Sequence, residues 1–134
     1  MSIACVVSFS GFPGRAECHL ALPDGGYPAA VASGFVAARR EAGRPAAFLK
    51  AFSAAHLEAR LLAPEPHCAD PCRDGAAYHY RVRLVGRRTT PLMVDCWRRY
   101  PGGLGWQRRC GPMALERFVE RFLPAQGPGS EGIS

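Results

Sequence analysis

Tyr78-His79-Tyr80-Arg81-Val82-Arg83-Leu84 alternates an apolar side chain with a basic one at every step. Successive side chains of a strand point to opposite faces, so this run predicts a β-strand with Tyr78, Tyr80, Val82 and Leu84 toward a core. His79, Arg81 and Arg83 then point the other way. Further along, Leu92 to Tyr100 reads as a second strand, with Leu92, Val94 and Cys96 at core parity and Asp95, Trp97 and Arg99 sharing the open face. A third strand is expected from Leu104 to Cys110, after the Pro101-Gly102-Gly103 turn, bringing Gln107 and Arg109 to the same face. Arg87 and Arg88 fall in the hairpin turn between the first two strands and extend the patch.

Before this stretch, Ile3, Cys5, Val7 and Phe9 alternate with other residues, Gly11-Phe12-Pro13-Gly14 marks a turn, and Cys18, Leu20 and Leu22 resume the period of two, which predicts a hairpin. A four-residue loop would set Cys5 opposite Leu20 and leave Cys18 without a cysteine partner. Pro28 suits the first turn of a helix running from Ala29 to about Ala42 and ending at Gly43. Phe48, Leu49, Phe52, Ala55 and Ala59 recur at helical spacing, predicting a second helix from Pro45 to about Leu62, with His56 partly buried beside Phe52. Residues 63–76 are rich in proline and read as a long loop. Pro112 is expected to open a last helix whose apolar stripe is Leu115, Phe118, Val119 and Phe122. The expected order is ββααβββα, an α+β fold with an antiparallel sheet and helices packed on one face. Residues 1–124 are assigned to a single domain and 125–134 to a flexible tail.

Charge is unevenly spread. Of seventeen Lys and Arg residues, nine lie between Arg73 and Arg109, opposed there only by Asp74 and Asp95, so this window carries +7 while the whole chain carries +6. A sheet face built from it is expected to bind an acidic protein or ribonucleoprotein complex, or nucleic acid directly, since guanidinium forks grip carboxylates and phosphates and an indole supplies an anchor or a stacking surface. The competing interpretation is a solvated face on which Trp97 covers arginine stems and Asp95 pairs across strands. No apolar run approaches the roughly 18 residues needed to span a bilayer, and the stretch from Met1 to Phe9 lacks a basic segment and is too short for a signal peptide. A soluble protein in the cytoplasm of a host cell, with no membrane partner, is the expectation.

Six cysteines invite a metal reading. Cys68, Cys72, Cys96 and Cys110 have the chemistry of a tetrahedral zinc site, with His67 nearby, but C-x₃-C is looser than paired C-x₂-C knuckles. Cys96 and Cys110 also carry core parity, where thiols act as small hydrophobes, so free thiols and no cofactor are expected. His19 points away from Cys18 and cannot share a ligand with it. Catalysis has little to stand on. Cys68 with His67 or His79 is the least poor nucleophile and base, giving a small cysteine-dependent enzyme as a third reading. Glu116 and Glu120 are interleaved with Arg117 and Arg121 on a solvated helix face. Gly102-Gly103-Leu104-Gly105 lies between strands, where it cannot cradle phosphate at a helix start. No catalytic residue is assigned.

The opening hairpin, Asp24-Gly25-Gly26-Tyr27-Pro28 before an alanine-rich helix, and Tyr78-His79-Tyr80-Arg81-Val82 in a later strand together resemble small uncharacterised proteins encoded by phages and prophages. The resemblance covers residues 1–50 and 77–97. In those proteins Asp-Gly-Tyr-Pro typically introduces the helix; here an additional glycine interrupts it. The resemblance implies a non-enzymatic accessory protein of a mobile element, a class that includes inhibitors of host defence such as anti-CRISPR proteins. Arg81, Arg83, Arg87, Arg88, Trp97, Arg99 and Arg109 are the expected contact residues, and a nucleic-acid binder with a zinc-stabilised loop is the alternative.

Overall fold

A computed structural model of the chain describes residues 3–62, 73, 75–86 and 91–123. Strands β1 (Cys5–Ser10), β2 (Cys18–Leu22), β3 (Arg60–Leu62), β4 (Tyr78–Leu84), β5 (Leu92–Tyr100) and β6 (Gly105–Ala114) form a six-stranded sheet in the order β3-β2-β1-β4-β5-β6. Helices α1 (Pro28–Ala42), α2 (Phe48–Ala55) and α3 (Leu115–Phe122) lie on one side of it, an α+β architecture. The sheet consists of two antiparallel halves joined at its centre by β1 and β4, which pair in parallel from Cys5↔Tyr78 to Ser10↔Arg83. Parallel neighbours require a long crossover, and the segment carrying α1 and α2 supplies it. The sheet is therefore mostly antiparallel, as expected, with one parallel pair at its centre that hairpin signals alone did not reveal.

Aromatic side chains hold the two layers together. Phe9 of β1 meets Phe48 and Phe52 of α2, while Phe35 of α1 lies within 5.6–5.7 Å, ring centre to ring centre, of Phe48, Phe52 and Phe118. Each fully buried ring contributes on the order of 2 kcal/mol of burial free energy. Tyr80 is buried beneath α3 against Phe118, and its hydroxyl donates a 2.6 Å hydrogen bond to the Gly26 carbonyl. Gly26 in turn donates to the Ile3 carbonyl, so close to β1 that a Cβ at this position would sit 2.7 Å from that oxygen. A side chain at Gly26 is thus excluded by backbone contact, and the Tyr27 and Tyr78 ring centres are 6.1 Å apart.

Three expected boundaries differ. The second helix stops at Ala55 instead of running to Leu62: His56 leaves helical geometry, stacks on Phe52 at 4.0 Å and donates from Nδ1 to the Phe52 carbonyl. A turn from His56 to Ala59 then redirects the chain into β3, which pairs with β2. The last strand extends past Cys110 to Ala114 and takes in Pro112, which we expected to open a helix. As an edge strand, β6 has one unpaired side on which a missing N–H costs little. The first hairpin has a longer loop than four residues, so Cys5 faces Leu22 and Cys18 faces Phe9. Most of the proline-rich loop (63–72, with His67, Cys68 and Cys72), the turn holding Arg87 and Arg88, and the tail from 124 onward lie outside the described residues. No described helix is long and apolar enough to cross a membrane.

Candidate interaction face

The sheet side opposite the helices has two zones. The first surrounds Ser8, His19 and His79, whose exposures of 6%, 3% and 0% make them interior groups although no described helix covers them. Ser8 Oγ lies 2.7 Å from His19 Nδ1 and 2.7 Å from His79 Nε2. Arg73 donates from Nη1 to His79 Nδ1 over a long 3.4 Å, and Glu17 Oε1 is 3.2 Å from His19 Nε2. Arginine has donors only and a carboxylate only acceptors, so one proton order satisfies every link with both imidazoles neutral. His79 takes Arg73 at Nδ1 and donates from Nε2 to Ser8; Ser8 donates to His19 Nδ1; His19 donates from Nε2 to Glu17. The chain ties β4, β1 and β2 together. His79 was expected to point away from the core with Arg81 and Arg83; it is on that side but sealed, with Trp106 edge-on at 6.5 Å and the Arg73 guanidinium 4.4 Å from the centre of that indole.

The second zone is the basic surface of β4, β5 and β6. Cross-strand partners project to one side, and the registers His79↔Trp97, Arg81↔Asp95, Trp97↔Arg108 and Arg99↔Trp106 place these residues together. Arg83 and Arg99 are exposed, Arg81 is half-buried, and Arg108 is exposed. Trp97 is half-buried, where we expected it open: the guanidinium groups of Arg81 and Arg108 approach its ring at 5.6 and 5.8 Å, and its Nε1–H reaches Asp95 Oδ2 at 3.4 Å. The indole therefore acts partly as a support for arginine stems, as the competing interpretation held, with Arg108 exposed beside it and Arg81 and Asp95 half-buried.

Arg109 is not part of this face. The β5–β6 register shifts on either side of Cys96, so that Trp97 pairs with Arg108 while Cys96 pairs with Cys110, two residues on β6 against one on β5. The extra residue sends Arg109 to the helix side, where it donates to the Tyr78 hydroxyl at 3.3 Å and lies 5.5 Å from the centre of the Phe122 ring. Gln107 pairs with Arg98 and also leaves the open face; Trp106 and Arg108 take the places assigned to Gln107 and Arg109. Regular alternation counted from Leu104 could not reveal this. Gly111 lies in the neighbouring shift, between the Cys96↔Cys110 and Val94↔Met113 pairs, with a φ of +91° and a position where a Cβ would sit 2.5 Å from the Val94 carbonyl.

On the helix side, Cys96 and Cys110 are direct cross-strand neighbours, both buried and both free thiols. The hydrogen bond between them, followed by desolvation, raises the Cys96 thiol far above its ordinary value; the same bond, with the Arg121 and Arg109 guanidiniums, lowers Cys110 to about 7. Burial alone pushes Cys5 up to about 12. Among the described residues no three His, Cys, Asp or Glu side chains converge as a metal site would require. No protein-family model, curated protein or solved structure matches this chain, so the functional reading rests on its own geometry.

Proposed function

We propose that this protein is a non-enzymatic accessory protein of a phage or other mobile element that binds an acidic surface of a host protein or ribonucleoprotein, inhibiting a host defence complex in the manner of an anti-CRISPR protein. The observation that carries the reading is the gathering of Arg81, Arg83, Arg99 and Arg108 on one face of three neighbouring strands, with Asp95 the sole acid among the described residues of those strands. Exposed arginine forks around a supporting indole recognise carboxylates well. Direct nucleic-acid binding is the second reading. It fits less well because a base needs an accessible ring to stack on, and guanidinium groups already lie against Trp97 and Trp106.

The test uses a variant carrying Arg83→Glu, Arg99→Glu and Arg108→Glu, beside the wild type, in affinity capture from bacterial lysate. The wild type is expected to retain one acidic host protein or complex, and the variant to lose it, weakened at least about 100-fold if each contact contributes roughly 1 kcal/mol. Its melting temperature should stay within about 2 °C, since exposed charges contribute little to folding. Binding by the wild type to arbitrary duplex DNA or RNA, with affinity falling steeply with salt and no protein captured, would decide for the second reading.

A further inference from the structure

We propose that Cys96 and Cys110 form an oxidisable dithiol, a modification site at which a hydroperoxide is reduced and a cross-strand disulfide is made. Geometry comes first. Residues directly opposite on antiparallel strands have Cα atoms about 4.5 or 5.5 Å apart, according to the type of pair, and both separations lie inside the range a disulfide spans. Cys96 and Cys110 are paired across β5 and β6, between two register shifts, and both are buried on the same side of the sheet. The other described cysteines are not paired with each other: Cys5 faces Leu22, and Cys18 faces Phe9.

The environment divides the labour between the two sulfurs. Cys110 lies on the edge strand and is 8% exposed, whereas Cys96 is wholly enclosed. Arg109 and Arg121 place positive charge beside Cys110 and lower its thiol, while the wholly enclosed Cys96 is raised, so Cys110 is the more readily ionised of the two. The less deeply enclosed Cys110 sulfur is the attacking group and the fully enclosed Cys96 thiol resolves the product. In the first step the Cys110 sulfur attacks the terminal oxygen of the hydroperoxide: an S–O bond forms, the O–O bond breaks, and the departing oxygen anion takes a proton to become an alcohol, or water when the oxidant is hydrogen peroxide. In the second the Cys96 sulfur attacks the Cys110 sulfenic acid: an S–S bond forms, the S–O bond breaks, and the hydroxyl leaves with the Cys96 proton as water. Two thiols have lost two electrons and one hydroperoxide has gained them. The site is on the helix side, so it neither uses nor depends on the basic face.

The experiment treats the reduced full chain with one equivalent of hydrogen peroxide, blocks remaining thiols, and maps unreduced peptides by mass spectrometry. A Cys96–Cys110 link, two hydrogens lighter than the reduced pair, is expected as the main product. In Cys96→Ser, dimedone should trap a sulfenic acid on Cys110; in Cys110→Ser, Cys96 should stay unmodified. The wild type gives an independent readout that needs no variant to fold. Iodoacetamide labelling of Cys110, followed peptide by peptide against pH, should reach half its maximal rate near pH 7, against about 9 for the same cysteine in urea. Three results would each overturn the proposal: peroxide linking other cysteines in preference, Cys110 labelling at pH 7 no faster than in urea, or a stoichiometric zinc ion whose removal is needed before Cys110 reacts.

Discussion

Ser8 carries more of this molecule than its size indicates. Its hydroxyl lies 2.7 Å from a nitrogen of each of two interior imidazoles, and every buried side-chain nitrogen and oxygen among the described residues is satisfied. Ser8→Ala would remove the hydroxyl from His79 Nε2 and His19 Nδ1 at once, in a site almost closed to water. Leaving buried polar groups unpaired costs about 1–3 kcal/mol, so urea unfolding of Ser8→Ala should show a loss of roughly 2 kcal/mol with unchanged m-value. A loss below about 0.5 kcal/mol would mean that water replaces the hydroxyl. The sequence made the side of His19 and His79 legible, because strand parity is local. It did not make their burial legible, since that depends on contacts such as Arg73 and Trp106, which come from elsewhere in the chain.

Strands were easier to find than their irregularities. The alternation of β4 and the first half of β5 reads directly from Tyr78 to Cys96, and the observed core parity agrees with it. The error in β6 arose because one additional residue reverses every side chain beyond it. Likewise, the spacing of Phe48, Phe52 and Ala59 continues past the end of α2, because a turn can return Ala59 to the same core without being helical. The neighbouring shift, between the Cys96↔Cys110 and Val94↔Met113 pairs, can be tested. Gly111→Ala would require an L residue to hold φ near +91° with its Cβ against the Val94 carbonyl and the Asp95 backbone. The alternative is local repacking of β6, and either route should lower stability by more than about 2 kcal/mol in urea titration. A melting temperature equal to that of the wild type would show that β6 does not need this geometry.

At the scale of the whole molecule, the sequence revealed an excess of charge and its location but not how that charge divides between the two sides of the sheet. Composition places nine basic residues in one window. Folding assigns Arg81, Arg83, Arg99 and Arg108 to the face without helices, and Arg109 to packing against Phe122 and the Tyr78 hydroxyl. Two adjacent arginines thus have different work, and this supplies a test from which net charge cancels. Arg108→Glu and Arg109→Glu change the total charge equally, so a long-range field would weaken adhesion to an anionic matrix equally in both. If the face acts as a contact surface, Arg108→Glu should elute from heparin at clearly lower salt than Arg109→Glu while melting like the wild type. Arg109→Glu loses a ring contact and a hydrogen bond and sets a carboxylate beside the Cys110 thiolate, so it should be the less stable protein by about 1–2 kcal/mol. Equal elution of the two variants would mean that the matrix senses only total charge, leaving the arrangement of arginines around Trp97 without a role in binding.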